Sequence, residues 1–188
     1  DVHLPDALRP LLELYGERSD FAAQLAHLLG IAAQAYADRS EELRLLDLRR
    51  AIEPDWFQQP GMVGYVCYVD RFAGDLAGVK SKIPYLKELG VTYLHLMPLL
   101  EPRPGANDGG YAVMNYRRVN PAFGTMDDLR ELATALRREG ISLCIDLVCN
   151  HTAKEHEWAC RAVAGDPVYR EYYHLFPDRI MPDQYEMT

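Results

Sequence analysis

The stretch Ile141-Ser-Leu-Cys-Ile-Asp-Leu-Val-Cys-Asn-His151 decides the fold of this chain. It begins as a run of apolar and β-branched residues directly after Gly140, and it ends in Asn150 and His151. Such a run behind a helix-terminating glycine predicts a buried strand of a parallel sheet. Polar residues at the carboxyl end of that strand lie where parallel α/β folds carry their functional sites. Asp146 interrupts the apolar run, and its carboxylate needs a partner there.

The joint that leads into this strand occurs twice. The segments Lys87-Glu-Leu-Gly-Val-Thr-Tyr-Leu94 and Arg137-Arg-Glu-Gly-Ile-Ser-Leu-Cys144 both pass from a helical pattern through a glycine into an apolar run. A third apolar run lies upstream, and helical spacing follows it as far as Gly90. Repeated units of this kind predict a parallel sheet with right-handed crossovers. The three predicted strands are 63–69, 91–97 and 141–148.

Three parallel strands are too few to close a barrel, for which about eight strands are usual. The predicted strands are nevertheless apolar throughout, as in a sheet that is covered on both faces. We therefore expect an α/β chain that is truncated, with its three βα units forming the first part of a larger fold.

Residues 1–60 have a different pattern. Apolar residues recur at helical spacing up to the break Glu53-Pro-Asp-Trp-Phe-Gln-Gln-Pro60, which predicts an all-α N-terminal domain followed by a linker. Ser19-Asp20 and Ser40 are predicted to cap the second and third helices. Leu48 is among the leucines expected to face inward.

The composition of the 188 residues is that of an ordinary globular protein, with 48% hydrophobic residues and a net charge of −8. This charge disfavours nucleic acid as a partner. No apolar run approaches the ~20 residues of a membrane helix, and the N-terminus lacks the pattern of a signal peptide. The four cysteines form no C-x-x-C pair, so we expect buried free thiols and a cytoplasmic location. They are Cys67, Cys144, Cys149 and Cys160.

A long loop, 98–124, is predicted between the second strand and the next helix, and loops of this length are usually functional. Asp108 and Tyr111 bracket Gly109 and Gly110 within it. Two glycines allow the backbone to pass close to a ligand, and the tyrosine could stack on a sugar ring or a base. The same residues are also compatible with a simple Gly-Gly turn that carries a surface tyrosine.

Asn150 and His151 have two interpretations. They could face a ligand as hydrogen-bonding groups, or they could be a helix N-cap followed by a satisfied histidine. A metal site is not favoured, because His151 and His156 do not have a usual zinc spacing. Asp70 and Arg71, after the first strand, are typical of a solvated pair. The chain has no P-loop, G-x-G-x-x-G or G-x-S-x-G motif, which disfavours nucleotide binding and an α/β-hydrolase.

Several ordered motifs resemble the α-amylase superfamily of (β/α)8 glycoside hydrolases. They are Phe72-Ala-Gly-Asp-Leu, Tyr93-Leu-His-Leu-Met-Pro-Leu-Leu, Asp108-Gly-Gly-Tyr-Ala-Val, Val119-Asn-Pro-Ala-Phe-Gly-Thr and Asp146-Leu-Val-Cys-Asn-His. Further segments are similar to amylosucrases: Tyr68-Val-Asp-Arg-Phe-Ala-Gly-Asp-Leu, Asn150-His-Thr-Ala-Lys-Glu-His-Glu-Trp-Ala and Phe176-Pro-Asp-Arg-Ile-Met-Pro-Asp-Gln-Tyr. The resemblance implies that 61–151 is the first part of a catalytic TIM (β/α)8 barrel. It also implies that 152–188 begins a small domain inserted after strand three.

The resemblance implies roles for five residues. Tyr111 would stack beneath the innermost glucosyl ring, and Asp108 would close that pocket by pairing with a later arginine. His151 would hydrogen-bond the sugar hydroxyls, with Asp146 as a buried organiser and Asn150 in support. Calcium-dependent members ligate calcium with the residue that matches Asn150, but amylosucrases are not thought to need the ion. We therefore expect no metal and no cofactor.

The implied reaction is glucosyl transfer from sucrose to an α-1,4-glucan with release of fructose, by a retaining double displacement. Its nucleophile and acid, expected about 5–5.5 Å apart, would lie beyond Thr188, so this segment alone should be inactive. The expected partners are sucrose, α-glucan and the remainder of the chain. The sequence does not fix the oligomeric state. Two alternatives stay open: a sucrose hydrolase or a sucrose or trehalose isomerising enzyme, and a non-catalytic carbohydrate-binding or structural fragment.

Overall fold

The structure is a computed structural model that describes residues 4–186. The chain divides into two compact units, Asp1–Trp56 and Phe57–Thr188. The predicted division of the second unit after residue 151 stays a prediction. No helix among the described residues is long and apolar enough to cross a membrane.

The first unit is helical, as predicted. Its helices are α1 (Leu4–Tyr15), α2 (Phe21–Ala37) and α3 (Glu41–Ile52), and a 3-10 turn follows at Trp56–Gln58. The predicted cap of α3 is confirmed, because the Ser40 hydroxyl accepts a hydrogen bond from the Leu43 amide.

Two expectations for this unit are wrong. Asp20 occupies the N-cap position of α2 but its side chain makes no capping bond, because its carboxylate pairs with Arg18 at 3.0 Å. This hydrogen bond from Arg18 lowers the pKa of Asp20. Leu48 does not face inward and is 57% exposed. None of the described residues up to Trp56 is buried.

The second unit contains five strands and seven helices among its described residues. The strands are β1 (Gly64–Cys67), β2 (Tyr93–Leu96), β3 (Leu100–Pro102), β4 (Val113–Val119) and β5 (Ser142–Ile145). The helices are α4 (Val69–Ala73), α5 (Leu76–Ser81), α6 (Ile83–Glu88), α7 (Met126–Arg138), α8 (Glu157–Val163), α9 (Pro167–Arg170) and α10 (Ile180–Glu186).

The three predicted parallel strands are confirmed as β1, β2 and β5, in the spatial order β1-β2-β5. The central strand β2 pairs in parallel on both sides, with Tyr65 beside Leu94 and Leu94 beside Leu143. All three strands are shorter than predicted, and the first stops at Cys67 because Val69 begins α4. The carboxyl ends of all three strands therefore share one edge of the sheet.

The two helix–glycine–strand joints have the same backbone conformation and the same hydrogen bond. Gly90 and Gly140 have φ angles of 75° and 76°, which the absence of a side chain permits. After each glycine, the next amide donates back into the preceding helix, Val91 to Leu86 and Ile141 to Leu136, both at 2.9 Å. The connection from α6 to β2 and the connection from α7 to β5 therefore have the same local geometry.

The core lies between one face of the sheet and the helices. Leu94 and Leu96 of β2 are fully buried against Leu132 and Leu136 of α7. On the opposite face of the sheet Val66 is 60% exposed. Helices α5, α6 and α7 pack on the side of the sheet that carries Leu94 and Leu96.

Two predictions about the connections are also wrong. The helical spacing after β1 forms two helices, because Pro84 in the first turn of α6 cannot continue a helix from α5. The predicted loop 98–124 contains an antiparallel hairpin, in which Leu100 of β3 lies beside Val119 of β4. The glycines within 98–124 are typical of a loop, so the short strands β3 and β4 on either side of them were not predicted.

The cysteines are free, but they are not uniformly buried. Cys67 and Cys144, in the strands, are partly buried, whereas Cys149 and Cys160 are exposed. The expectation of buried thiols is therefore wrong for the last two: Cys149 follows β5, and Cys160 lies in α8 with its side chain exposed. Burial raises the pKa of the Cys67 thiol.

Candidate functional site

The turn between β3 and β4 is organised by side-chain hydrogen bonds to its own backbone. The Asn107 Oδ1 atom accepts from the amides of Gly109 and Gly110, at 3.0 and 3.1 Å. The Asp108 Oδ1 atom accepts from the Ala112 amide at 2.9 Å, and the Asp108 side chain is exposed. This asparagine was not singled out in the sequence, although Asn before a Gly pair is a recognisable turn signal.

The two glycines are required by close packing within the protein. Gly109 has a φ of 84°, and a Cβ atom there would lie 3.1 Å from the Tyr68 hydroxyl oxygen. Gly110 has a φ of 96°, and a Cβ atom there would lie 3.3 Å from the Cβ of Pro98. The turn therefore lies against residues that directly follow β1 and β2, at the carboxyl edge of the sheet.

Tyr111 connects this turn to the end of β5. Its ring packs against the buried side chains of Leu100, Val113 and Val148. Burial, then the Asp146 carboxylate, and to a smaller degree Asp108, raise the pKa of Tyr111. The Tyr111 hydroxyl therefore lies near the Asp146 carboxylate. Tyr111 is thus partly buried.

Asp146 has a hydrogen-bond partner that the sequence did not indicate. The His95 Nε2 atom lies 3.1 Å from Asp146 Oδ1, with the two side chains 32% and 23% exposed. His95 pairs in register with Cys144, two residues before Asp146, so both side chains are on the same side of the sheet. The second oxygen, Oδ2, is buried and has no hydrogen-bond partner among the described residues. A histidine within an otherwise apolar strand was the available signal.

Asn150 and His151 form an exposed pair beyond the end of β5. The Asn150 Nδ2 atom lies 2.9 Å from His151 Nδ1, so the amide donates to the ring nitrogen. The interpretation of Asn150 as a helix N-cap is wrong, because the next helix, α8, is capped by His156. The structure thus brings Asp108, Tyr111 and Asp146 together, and it leaves the His151 ring exposed.

His156 is a buried histidine that the sequence did not assign to the site. Its Nδ1 atom accepts from the Trp158 amide at 3.1 Å, and its ring meets the Tyr116 ring edge-on at 5.6 Å. Burial lowers the pKa of His156, and nearby Glu157 opposes that shift. The neutral ring is therefore the form that caps α8.

Acidification should destabilise this cap. The pKa of His156 in the folded chain lies below its usual value of about 6.5, so the stabilisation is complete above that pH and is lost as the pH falls below it. The variant His156→Asn retains a capping oxygen but does not titrate. We expect the Tm of the wild type to fall more than that of His156→Asn between about pH 7.5 and 5.5. Equal falls in scanning calorimetry would contradict this role.

Among residues 4–186, no cluster of three or more His, Cys, Asp or Glu side chains is arranged to hold a metal ion. The acidic and tyrosine side chains of the site are suited to binding a polyhydroxylated ligand. Carboxylates accept hydrogen bonds from hydroxyl groups, and an aromatic face can cover the apolar face of a sugar ring.

Known proteins show clear similarity to this chain. The family described as "Alpha amylase, catalytic domain" matches residues 36–186. The oligo-1,6-glucosidase of Bacillus cereus is 42% identical over 136 residues, which cover 68% of this chain and 24% of that enzyme. The 4-alpha-glucanotransferase of Thermotoga neapolitana is 38% identical over 119 residues, which cover 60% of this chain and 26% of that enzyme.

The similarity extends to solved structures. A mutant isomaltulose synthase from Erwinia rhapontici NX5, in complex with its natural substrate sucrose, has a TM-score of 0.55 at 30% identity. The match covers 61% of this chain and 22% of that chain. The chain thus spans about a quarter of the length of these relatives.

Proposed function

Because this chain belongs to the family of α-amylase catalytic domains, we propose that β1, β2 and β5 are the first three strands of a (β/α)8 barrel. The barrel would belong to an enzyme that acts on α-glucosidic bonds. The observation that carries this proposal is the group formed by Tyr111, Asp146 and His95 at the carboxyl edge of the sheet. Active sites of such barrels lie at that edge.

The proposed pocket holds one glucosyl ring. Tyr111 would present its ring to the sugar, since its hydroxyl lies near Asp146 and its ring packs against the cluster of Leu100, Val113 and Val148. Asp108 is exposed at the same turn. Its Oδ1 atom accepts from the Ala112 amide, and its carboxylate can accept further hydrogen bonds from a sugar hydroxyl or from an arginine elsewhere in the enzyme.

His151 and Asn150 would contact the same sugar from the end of β5. Both side chains are exposed, and their mutual hydrogen bond leaves the His151 Nε2 atom as the group that can reach a hydroxyl. Asp146 would act as an organiser that orients Tyr111 from one side and is itself held by His95. The nucleophile and the acid would come from later strands of the barrel.

We further propose that the sugar donor is sucrose and that the glucosyl unit passes to an α-1,4-glucan, as in amylosucrases. Two observations on relatives support this choice. A structurally similar isomaltulose synthase has sucrose as its natural substrate, and a similar enzyme is a 4-alpha-glucanotransferase. Retention of configuration would follow from a covalent glucosyl-enzyme that a glucan end attacks in place of water. Sucrose isomerisation is the second candidate, favoured by the same isomaltulose synthase.

The test is to incubate the full-length enzyme with sucrose, with and without a maltooligosaccharide acceptor. Release of fructose with insoluble glucan is expected. Glucose and fructose in equal amounts would show a hydrolase instead, and isomaltulose would show an isomerase. A full-length enzyme that cleaves no α-glucoside would leave the non-catalytic fragment as the better account.

The variant Asp108→Asn should reduce fructose release by about 10- to 100-fold, as expected for the loss of a charge-assisted hydrogen bond. Asp127→Asn is the matched control, because Asp127 is an exposed carboxylate in the first turn of α7. It should leave the rate unchanged. Equal rates for both variants would remove Asp108 from the proposed pocket.

A further inference from the structure

The segment between β5 and α8 contains no helix or strand, so its contacts with the β3–β4 hairpin decide where His151 lies. The Ala153 amide donates to the Val113 carbonyl oxygen at 2.9 Å. Val148 is buried beside Val113 and Leu100. These contacts fix the segment before and after His151.

The remaining contact acts on His151 itself. The Tyr116 hydroxyl lies 2.7 Å from the Val148 carbonyl oxygen and 3.0 Å from the His151 carbonyl oxygen. One hydroxyl proton is thus shared between two carbonyl groups that are three residues apart. Burial raises the pKa of Tyr116, which keeps the hydroxyl protonated as a donor.

The Tyr116 ring is held independently of its hydroxyl. It packs against the cluster of Leu100, Val113 and Val148, and it meets the His156 ring edge-on. Removing the oxygen atom should therefore leave the ring in place and free only the two carbonyl groups.

We propose that Tyr116 is a positioning residue for sugar recognition. Its hydroxyl fixes the backbone from Val148 to His151 and thereby sets the direction in which the His151 imidazole meets the glucosyl unit. This inference rests on the proposed role of His151. The Tyr116 hydroxyl contacts the backbone of this segment, and Tyr116 acts on the sugar through His151.

The kinetic test is a double-mutant cycle in the full-length enzyme with sucrose as the probe. Tyr116→Phe should raise KM about three- to tenfold, the change expected for one hydrogen bond, with kcat less affected. In the His151→Ala background the same change should have no further effect, because the interaction is transmitted through that residue. Tyr65→Phe, which removes a hydroxyl from a ring packed on Phe72, is the matched control. Independent, additive effects of Tyr116→Phe and His151→Ala would overturn the proposal.

A second measurement does not depend on activity. The imidazole carbon-bound protons of His151 are assigned by NMR from the signal that His151→Ala removes. Tyr116→Phe should shift that signal and Tyr65→Phe should not. An unchanged signal together with an unchanged KM would contradict the inference. If the wild type does not cleave sucrose, the proposed function fails, and the NMR comparison still decides whether Tyr116 positions His151.

Discussion

Replacing Tyr111 with alanine is expected to lower kcat/KM of the full-length enzyme for sucrose about 100-fold. The ring is proposed to cover the glucosyl unit, and misplacement of a substrate by about 1 Å can have an effect of this size. The ring is also part of the cluster with Leu100, Val113 and Val148, so some loss of stability should accompany the loss of activity.

Two further variants separate these effects. Tyr111→Phe keeps the ring and its packing but removes the hydroxyl that lies near Asp146, so kcat/KM should fall by about tenfold or less. Tyr85→Ala removes a tyrosine ring that is 45% exposed on α6, and it should leave kcat/KM unchanged. A Tyr111→Ala enzyme with wild-type kcat/KM would show that Tyr111 does not contact the sugar.

Replacing Leu94 with alanine is expected to have the largest effect on stability, about 2–5 kcal/mol. Leu94 is fully buried in the central strand, between Tyr65 of β1 and Leu143 of β5. Its loss would leave a cavity beneath α7, which the close-packed neighbours can fill only in part. The free energy of unfolding from urea titration is the appropriate measurement.

The matched control is Leu89→Ala, the same chemical change at a position that is 47% exposed. It should cost about 0.5 kcal/mol or less, because about half of this residue is already in contact with water and it lies outside the buried core. Similar losses for the two variants would mean that the core described around β2 does not stabilise the protein.

The parallel sheet could be predicted because its signals are local. Gly90 and Gly140 each end a helix by the same hydrogen-bond pattern, and that pattern requires a glycine between a helix and an apolar run. The cap at Thr125 has the same local character, since its hydroxyl and the Asp128 carboxylate form a reciprocal capping box between residues three positions apart. Hydrophobic periodicity and helix caps depend on residues that are close in sequence, so they can be predicted from a single sequence.

The site was only partly predictable, because its organisation depends on residues distant in sequence. The contact between His95 and Asp146 joins residues 51 positions apart, and it follows from the register of β2 with β5. The Tyr116 hydroxyl reaches carbonyl groups 32 and 35 positions away. Asp108, Tyr111 and Asp146 could be named from the motif, whereas their supporting partners required the tertiary structure.

The attachment of the segment after β5 to the β3–β4 hairpin has a consequence for engineering new specificities by loop grafting. The two segments share a backbone hydrogen bond from Ala153 to Val113 and an ion pair between Arg103 and Glu155 at 3.0 Å. Transplanting either segment alone from a relative would leave a half-buried charge and a backbone amide without their partners. The hairpin and the segment from Asp146 to His156 should therefore be exchanged as one cassette.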